Sequence, residues 1–197
     1  MQRKPGMSLA KRILQPSPSY PDERRRFLRA CLGTTLAVTS RVPLASVHRS
    51  AERTLSFNNL HTGEKLRTTF WADGDYVGEQ LRAVNRVMRD HRSGDQHRMD
   101  PSLLDLLYLL QQTVAVKGSF HIISAYRSPA TNRMLSAGNS GVAKKSLHMQ
   151  GKAIDIRLPG CELKQLRDAA LTLQAGGVGY YPDSNFIHVD TGRVRRW

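Results

Sequence analysis

The chain has 197 residues, 40% of them hydrophobic and 23% charged, which suits one domain of ordinary size and excludes a disordered polymer or a bundle of membrane spans. Its formal net charge of +14 divides evenly: residues 1–47 carry nine Lys/Arg against two Asp/Glu, the remainder 21 against 14, so each part contributes +7. A basic domain favours an acidic partner, and charge alone does not choose between nucleic acid and an anionic polymer.

Taken in chain order, the first informative stretch is Arg24-Arg25-Arg26-Phe27-Leu28-Arg29, followed by the short, uncharged, moderately apolar run Ala30 to Val38. A basic stretch before a short apolar one follows the logic of a secretory signal. Paired arginines followed by Phe-Leu resemble a twin-arginine leader, which serves proteins exported already folded. Residues 1–47 are therefore expected to be an export leader, disordered or removed, with the folded domain in 48–197. Cys31 falls in that leader and precedes the apolar run instead of ending it, which argues against lipidation. Cys161 is then left alone, with no disulfide partner and no CxxC pair, and reads as a small packed residue.

In the folded part, Leu55 to Phe57 and Leu66 to Phe70 flank His61-Thr62-Gly63-Glu64, a hairpin pattern with Gly at the turn. Val77, Leu81, Val84 and Met88 predict an amphipathic helix over 76–90. Asp100-Pro101 is a helix start, a capping side chain followed by Pro at the first helical position. Leucines 103, 104, 106, 107, 109 and 110 then make a helix apolar over most of its surface, expected to form the core. Phe120 to Tyr126 reads as a strand, after which Ser128 can cap a short helix. Residues 136–147 read as a loop, with Lys144 and Lys145 on a solvated rim. Ala153 to Leu158 is a strand, Leu163 to Leu173 a helix stopped by Gly176-Gly177, and Phe186 to Asp190 a last short strand. The expected class is α+β, a small antiparallel sheet packed against several helices.

Two segments carry the chemistry. Along Ser146-Leu147-His148-Met149-Gln150-Gly151-Lys152-Ala153-Ile154-Asp155, Gly151 permits a sharp turn, and strand alternation puts Ala153, Asp155 and Arg157 opposite Ile154 and Ile156. In Phe186-Ile187-His188-Val189-Asp190, His188 and Asp190 share a face. If the two strands are neighbours, His148, Asp155 and His188 converge. Two imidazoles and one carboxylate leave a fourth tetrahedral position for water, as in a catalytic zinc site, where the bound water's pKa falls to about 7. Each histidine alone has many ordinary uses. The joint pattern points to a metal, because polar groups on inward strand faces need partners.

The pattern H-x-x-G-x-A-x-D, with a serine two places before the His, resembles the signature of zinc peptidases related to lysostaphin, D-Ala-D-Ala peptidases and the hedgehog domain. The longer strings Gly141 to His148, Ala175 to Pro182 and His188-Val189-Asp190-Thr191-Gly192, with Asn58 to Glu64 and Tyr126-Arg127-Ser128, resemble the YcbK (MepK) murein endopeptidases over residues 54–197. The resemblance implies a hedgehog/D-Ala-D-Ala-peptidase-like fold and Zn2+ ligands at His148, Asp155 and His188. It also implies that Arg127 faces the metal, where a guanidinium steadies an oxyanion or holds a carboxylate.

The implied substrate is the stem-peptide cross-link of peptidoglycan, whose free carboxylates suit a basic domain, and the implied location is the periplasm. Neither nucleic acid nor a stable membrane span is expected, and a monomer is. Many relatives place an acid or His two or three residues before the last ligand, where this chain has Asn185 and Phe186. Asp190 is the best substitute as general base, and equally suits support of a metal-bound imidazole. Asp183 and His121 are lesser candidates. A non-catalytic, metal-containing wall-binding domain is the alternative reading.

Overall fold

A computed structural model describes residues 52–138 and 142–197. The expected leader lies outside these residues. Among the described residues, no helix is long and apolar enough to cross a membrane.

The described part opens with the expected hairpin, β1 (Arg53–Asn59) against β2 (Lys65–Ala72), with Gly63 at φ 73° in the turn. A two-residue β3 (Asp75–Tyr76) then takes Tyr76 from the helix expected over 76–90, Val77 and Met88 cap its two ends, and α1 spans Gly78–Val87. Helix α2 (Pro101–Val114) starts where Asp100 and Pro101 predict, the Asp100 side chain accepting from the Ser102 N–H. Its leucines are buried except Leu109, which is 49% exposed and lies on the outer side. Strand β4 (Phe120–Ser124) leads to α3 (Pro129–Gly138), capped by Ser128 Oγ accepting from the Thr131 N–H at 3.2 Å. A 3-10 turn (Leu147–Gln150), β5 (Ala153–Arg157), α4 (Leu163–Leu173), β6 (Gly177–Tyr181), β7 (Phe186–Asp190) and β8 (Arg195–Arg196) complete the domain.

The helices and strands form an α+β domain, but the sheet is neither small nor wholly antiparallel. It has eight strands in the order β3-β2-β1-β4-β5-β7-β6-β8, with parallel pairing at β1–β4 and β6–β8. The reason lies in the connections. Some sixty residues carrying β2, β3, α1 and α2 separate Asn59 from Phe120, ample length to return the chain to the same end of the sheet. At the other side, the chain leaving β7 crosses the end of β6 to pair beyond it. That crossing needs Gly176 and Gly177, where a Cβ would collide with the Asp190 carbonyl oxygen and the Arg195 guanidinium. Strands β6 and β8 escape a pattern reading because one is rich in Gly and the other has two residues.

Helices α2 and α4 pack on each other, α2 also on β1 and α4 on β6 and β7. Ile154, Ile156, Ile187 and Val189 join the leucines of α2 in one core cluster, every one of the four 0% exposed. Period-2 alternation then delivers the other face of β5 and β7 to the polar side chains. Cys161 packs against the margin of this core as a free thiol.

Asp90, which sequence reading did not single out, fixes the connection between β4 and α3. It is 1% exposed and accepts from the Arg92 and Ser128 backbone N–H groups at 2.9 Å each. Burial alone would raise its pKa, but hydrogen bonds from Thr131, Ser128 and Arg92 hold the carboxyl well below the usual range. A depressed folded pKa contributes stability above the unfolded value, and that stability is lost as pH falls through the folded one. Asp90→Asn is expected to cost about 1.5–3 kcal/mol at pH 7, the worth of hydrogen bonds to a charged group. The difference from the unsubstituted protein should shrink as the solution is acidified, measured by urea unfolding across the pH range.

Candidate metal centre

Asp155 on β5 and His188 on β7 are directly opposite in the antiparallel register. His148 comes from the 3-10 turn just before β5, which is capped by Ser146 Oγ and closed by Gly151 at φ 66°. Gly151 is required twice over, since a Cβ there would also strike the Arg98 carbonyl. The three side chains are buried and meet: His148 Nε2 is 3.2 Å from His188 Nδ1 and 3.3 Å from Asp155 Oδ1, and His188 Nδ1 is 2.9 Å from Asp155 Oδ1. They are the group among the described residues able to hold a metal ion with three ligand atoms.

The protons of both rings can be placed. His148 Nδ1 lies 2.6 Å from the Ala125 carbonyl, which only accepts, so Nδ1 carries the hydrogen and Nε2 offers a lone pair. His188 Nε2 lies 2.9 Å from Asp190 Oδ2. Asp190 is 0% exposed and also accepts from Gly177 N, Gly192 N and the Arg195 guanidinium, which grips both oxygens at 3.1 and 2.7 Å. With donors on every side it is an ionised acceptor. His188 therefore donates from Nε2 and turns the lone pair of Nδ1 inward. Two lone pairs and a carboxylate oxygen converge on one point, an arrangement that calls for a cation. Tetrahedral zinc with Zn–N bonds of 2.0–2.1 Å has ligand-to-ligand edges of about 3.3 Å, and the three distances lie at or just under this value.

The electrostatics agree with the geometry. Burial would raise the pKa of Asp155, and the neighbouring His148 and His188 reverse it, holding the carboxyl well below its usual range. Burial lowers that of His188, but Asp155 and Asp190 outweigh it and the net shift is upward. A site that favours positive charge at His188 and negative charge at Asp155 is one that attracts a cation.

Arg127 reaches the same place. Its backbone N–H donates to the His148 carbonyl at 3.2 Å, its flanking Tyr126 N–H to the Met88 carbonyl at 2.9 Å, and Ser128 is held by Asp90. The side chain lies 3.9 Å from Asp155 Oδ2 and donates to Asn132 Oδ1 at 3.4 Å, while its buried Nε has no partner. Burial lowers its pKa against the opposing pull of Asp155, yet a guanidinium keeps its charge. Arg127 thus projects an under-satisfied cationic group beside the ligands.

A groove of ≈ 660 Å³ opens over this centre, lined by Arg127, His148, Asp155 and His188 together with Lys145, Tyr181, Phe186 and Trp197. Asp190 is behind His188, on the side away from the ligand atoms. Asp183 is exposed in the β6–β7 turn, and His121 on β4 is paired with Arg157; neither lines the groove. Sequence reading missed Arg195, Tyr181 and Trp197. The signal was faint, because Val194-Arg195-Arg196-Trp197 is too short for periodicity to speak.

Comparison with known proteins completes the description. The family model described as "Peptidoglycan L,D-endopeptidase MepK" matches residues 47–197. The protein of that name from Escherichia coli K12 is 43% identical over 178 residues, covering 89% of this chain and 98% of its own length. The Haemophilus influenzae protein described as "Probable peptidoglycan L,D-endopeptidase MepK" is 40% identical over 183 residues, 91% of this chain and 98% of its own. A solved structure, the Serratia marcescens L-Ala D-Glu endopeptidase ChiX, shares 20% identity over 39% of this chain and 62% of that one, with a TM-score of 0.32.

Proposed function

The chain belongs to the family of peptidoglycan L,D-endopeptidase MepK, and from that premise we propose that it is a zinc peptidase cutting peptide bonds of peptidoglycan stem peptides. The observation that carries the reading is the convergence of His148 Nε2, Asp155 Oδ1 and His188 Nδ1, with both imidazole protons directed outward. Zinc held there would supply Lewis acidity, polarising the scissile carbonyl and acidifying a water.

The chain's own residues do the rest. Ala125 and Asp190 fix the tautomers and ring planes of the two histidines. We assign Asp190 to this support, because its oxygens are occupied by Arg195, two backbone N–H groups and His188 Nε2. Arg127 presents its guanidinium beside the ligands, where it hydrogen-bonds the carbonyl oxygen as charge develops or holds a stem-peptide carboxylate. Lys145, on the exposed rim of the groove, adds positive charge for the same acidic substrate.

Such a substrate lies outside the cytoplasmic membrane. The proposed location is accordingly the periplasm, reached through the twin-arginine leader around Arg24-Arg25-Arg26, with the enzyme acting as a monomer. Nucleic acid is not its partner.

The test is digestion of purified sacculi followed by mass spectrometry of the released muropeptides. Expected are about one zinc per chain, new fragments ending at an L,D bond, and loss of cleavage on chelation with recovery on adding zinc. Full activity in metal-free protein would sink the reading. The alternative, a metal-holding domain that binds the wall without cutting, draws on one observation: among the described residues lining the groove, Asp155 is the sole carboxylate. Binding to sacculi with no fragment released would favour it.

A further inference from the structure

The groove has a protic group that the ligand set and Arg127 do not use. Trp197, just beyond β8, is pinned to β6 on both sides: its N–H donates to the Val178 carbonyl at 3.2 Å, and its carbonyl accepts from Tyr180 N at 3.1 Å. Its indole leans on the His188 ring with centroids 5.2 Å apart, and the Arg195 guanidinium sits 4.8 Å over it. The space for that indole exists because position 179, directly across from His188, is glycine, where a Cβ would fall 2.8 Å from the ring. From this seat the indole Nε1–H donates to Tyr181 Oη at 2.7 Å.

The direction of that hydrogen bond is what matters. An indole N–H can only donate, so the phenol oxygen is the acceptor and its own O–H is left to donate elsewhere. The Tyr181 ring is held from its other side by Phe186, with centroids 4.6 Å apart and planes inclined by 21°. Tyr181 lines the groove together with the three ligands and Arg127. One indole therefore spans the distance from a ligand imidazole to a phenol that keeps its proton to donate and that is held, on the 36% exposed rim of the groove, by this hydrogen bond and the Phe186 stack.

We propose that Tyr181 is a catalytic hydrogen-bond donor of this peptidase, giving its O–H to the scissile carbonyl oxygen as that oxygen gains charge, and that Trp197 is the positioning residue that aims it. The assignment rests on the peptidase reading. It gives the groove a second hydrogen-bond donor besides Arg127, and it gives a purpose to the two glycines and the strand crossing that bring Arg195 and Trp197 to the groove wall. Tyr181 needs no proton transfer for this role, only a donor fixed where negative charge accumulates.

The experiment uses the zinc-loaded full chain and a purified stem-peptide substrate. Tyr181→Phe keeps the stack on Phe186 and removes only the hydroxyl; kcat is expected to fall about 10²-fold with KM and zinc content unchanged. Trp197→Phe keeps a ring against His188 and removes the N–H, with an expected loss of about tenfold in kcat. Because Trp197 acts through Tyr181, the double variant should be no slower than Tyr181→Phe alone; independent effects would multiply instead. A Tyr181→Phe enzyme that keeps its zinc and turns over within twofold of the unsubstituted protein overturns the proposal. Multiplying losses in the double variant overturn the part given to Trp197. If the unsubstituted protein itself releases no fragments, the failure is that of the peptidase reading, before either variant is measured.

Discussion

His148→Ala is expected to lower peptidoglycan cleavage by at least about 10³-fold, the equivalent of several kcal/mol of lost Lewis-acid stabilisation at 1.36 kcal/mol per decade. The substitution removes one corner of a triangle with sides of 2.9, 3.2 and 3.3 Å and leaves His188 and Asp155 to hold a cation by two ligands. Metal analysis of the purified variant should show zinc well below one per chain. His148 sits outside the core cluster, on a 3-10 turn tied down through Ser146 and the Lys152 N–H. The variant should accordingly remain folded by circular dichroism, so that the lost activity reports the site and not the domain. A variant that keeps both its zinc and its rate would mean that the metal lies elsewhere or does no chemistry.

The second large effect separates two roles for Asp190. As a support, its carboxylate orients His188 and neutralises Arg195, and Asp190→Asn puts an amide N–H₂ against donors it cannot satisfy. Disrupting a buried, hydrogen-bonded charge pair by changing one partner costs about 3–5 kcal/mol of stability, and loss of an outer partner of a ligand histidine lowers metal affinity about 10–100-fold. Activity of Asp190→Asn should therefore be low at limiting zinc and recover substantially as zinc is raised, read by titrating the metal during turnover. A general base would behave otherwise: affinity for zinc would hold and excess metal would restore nothing. Five donors crowd the two oxygens, three of them fixed in the backbone or in the imidazole, which is why recovery is the expected outcome.

How much of this was legible in the sequence follows from the range of the forces involved. The start of helix α2 was readable to the residue, because Asp100 and Pro101 act on the nearest turn, and its leucines marked it as core; its end at Val114 carried no such local signal. Strands β5 and β7 were readable because Ile154/Ile156 and Ile187/Val189 alternate with Asp155 and His188. That alternation also made their convergence a fair expectation once the strands were supposed adjacent. The pairing itself was not in the pattern. Nothing local says that β1 lies parallel beside β4 or that β8 passes beyond β6, since these are decided by where long connections bring the chain back. Asp90 escaped notice for a related reason: its value lies in two backbone N–H groups, one of them 38 residues away. The groove wall escaped because Tyr181 and Trp197 become neighbours only after the crossing over Gly176 and Gly177.

The margins of the sheet have a consequence for life in a crowded compartment. Both outermost strands, β3 and β8, are two residues long, and the second is Arg195-Arg196. A long bare margin offers unpaired main-chain groups on which another copy could template itself. A border as short and cationic as β8 presents almost no such ladder, so a second copy finds little to pair with on that side of the sheet.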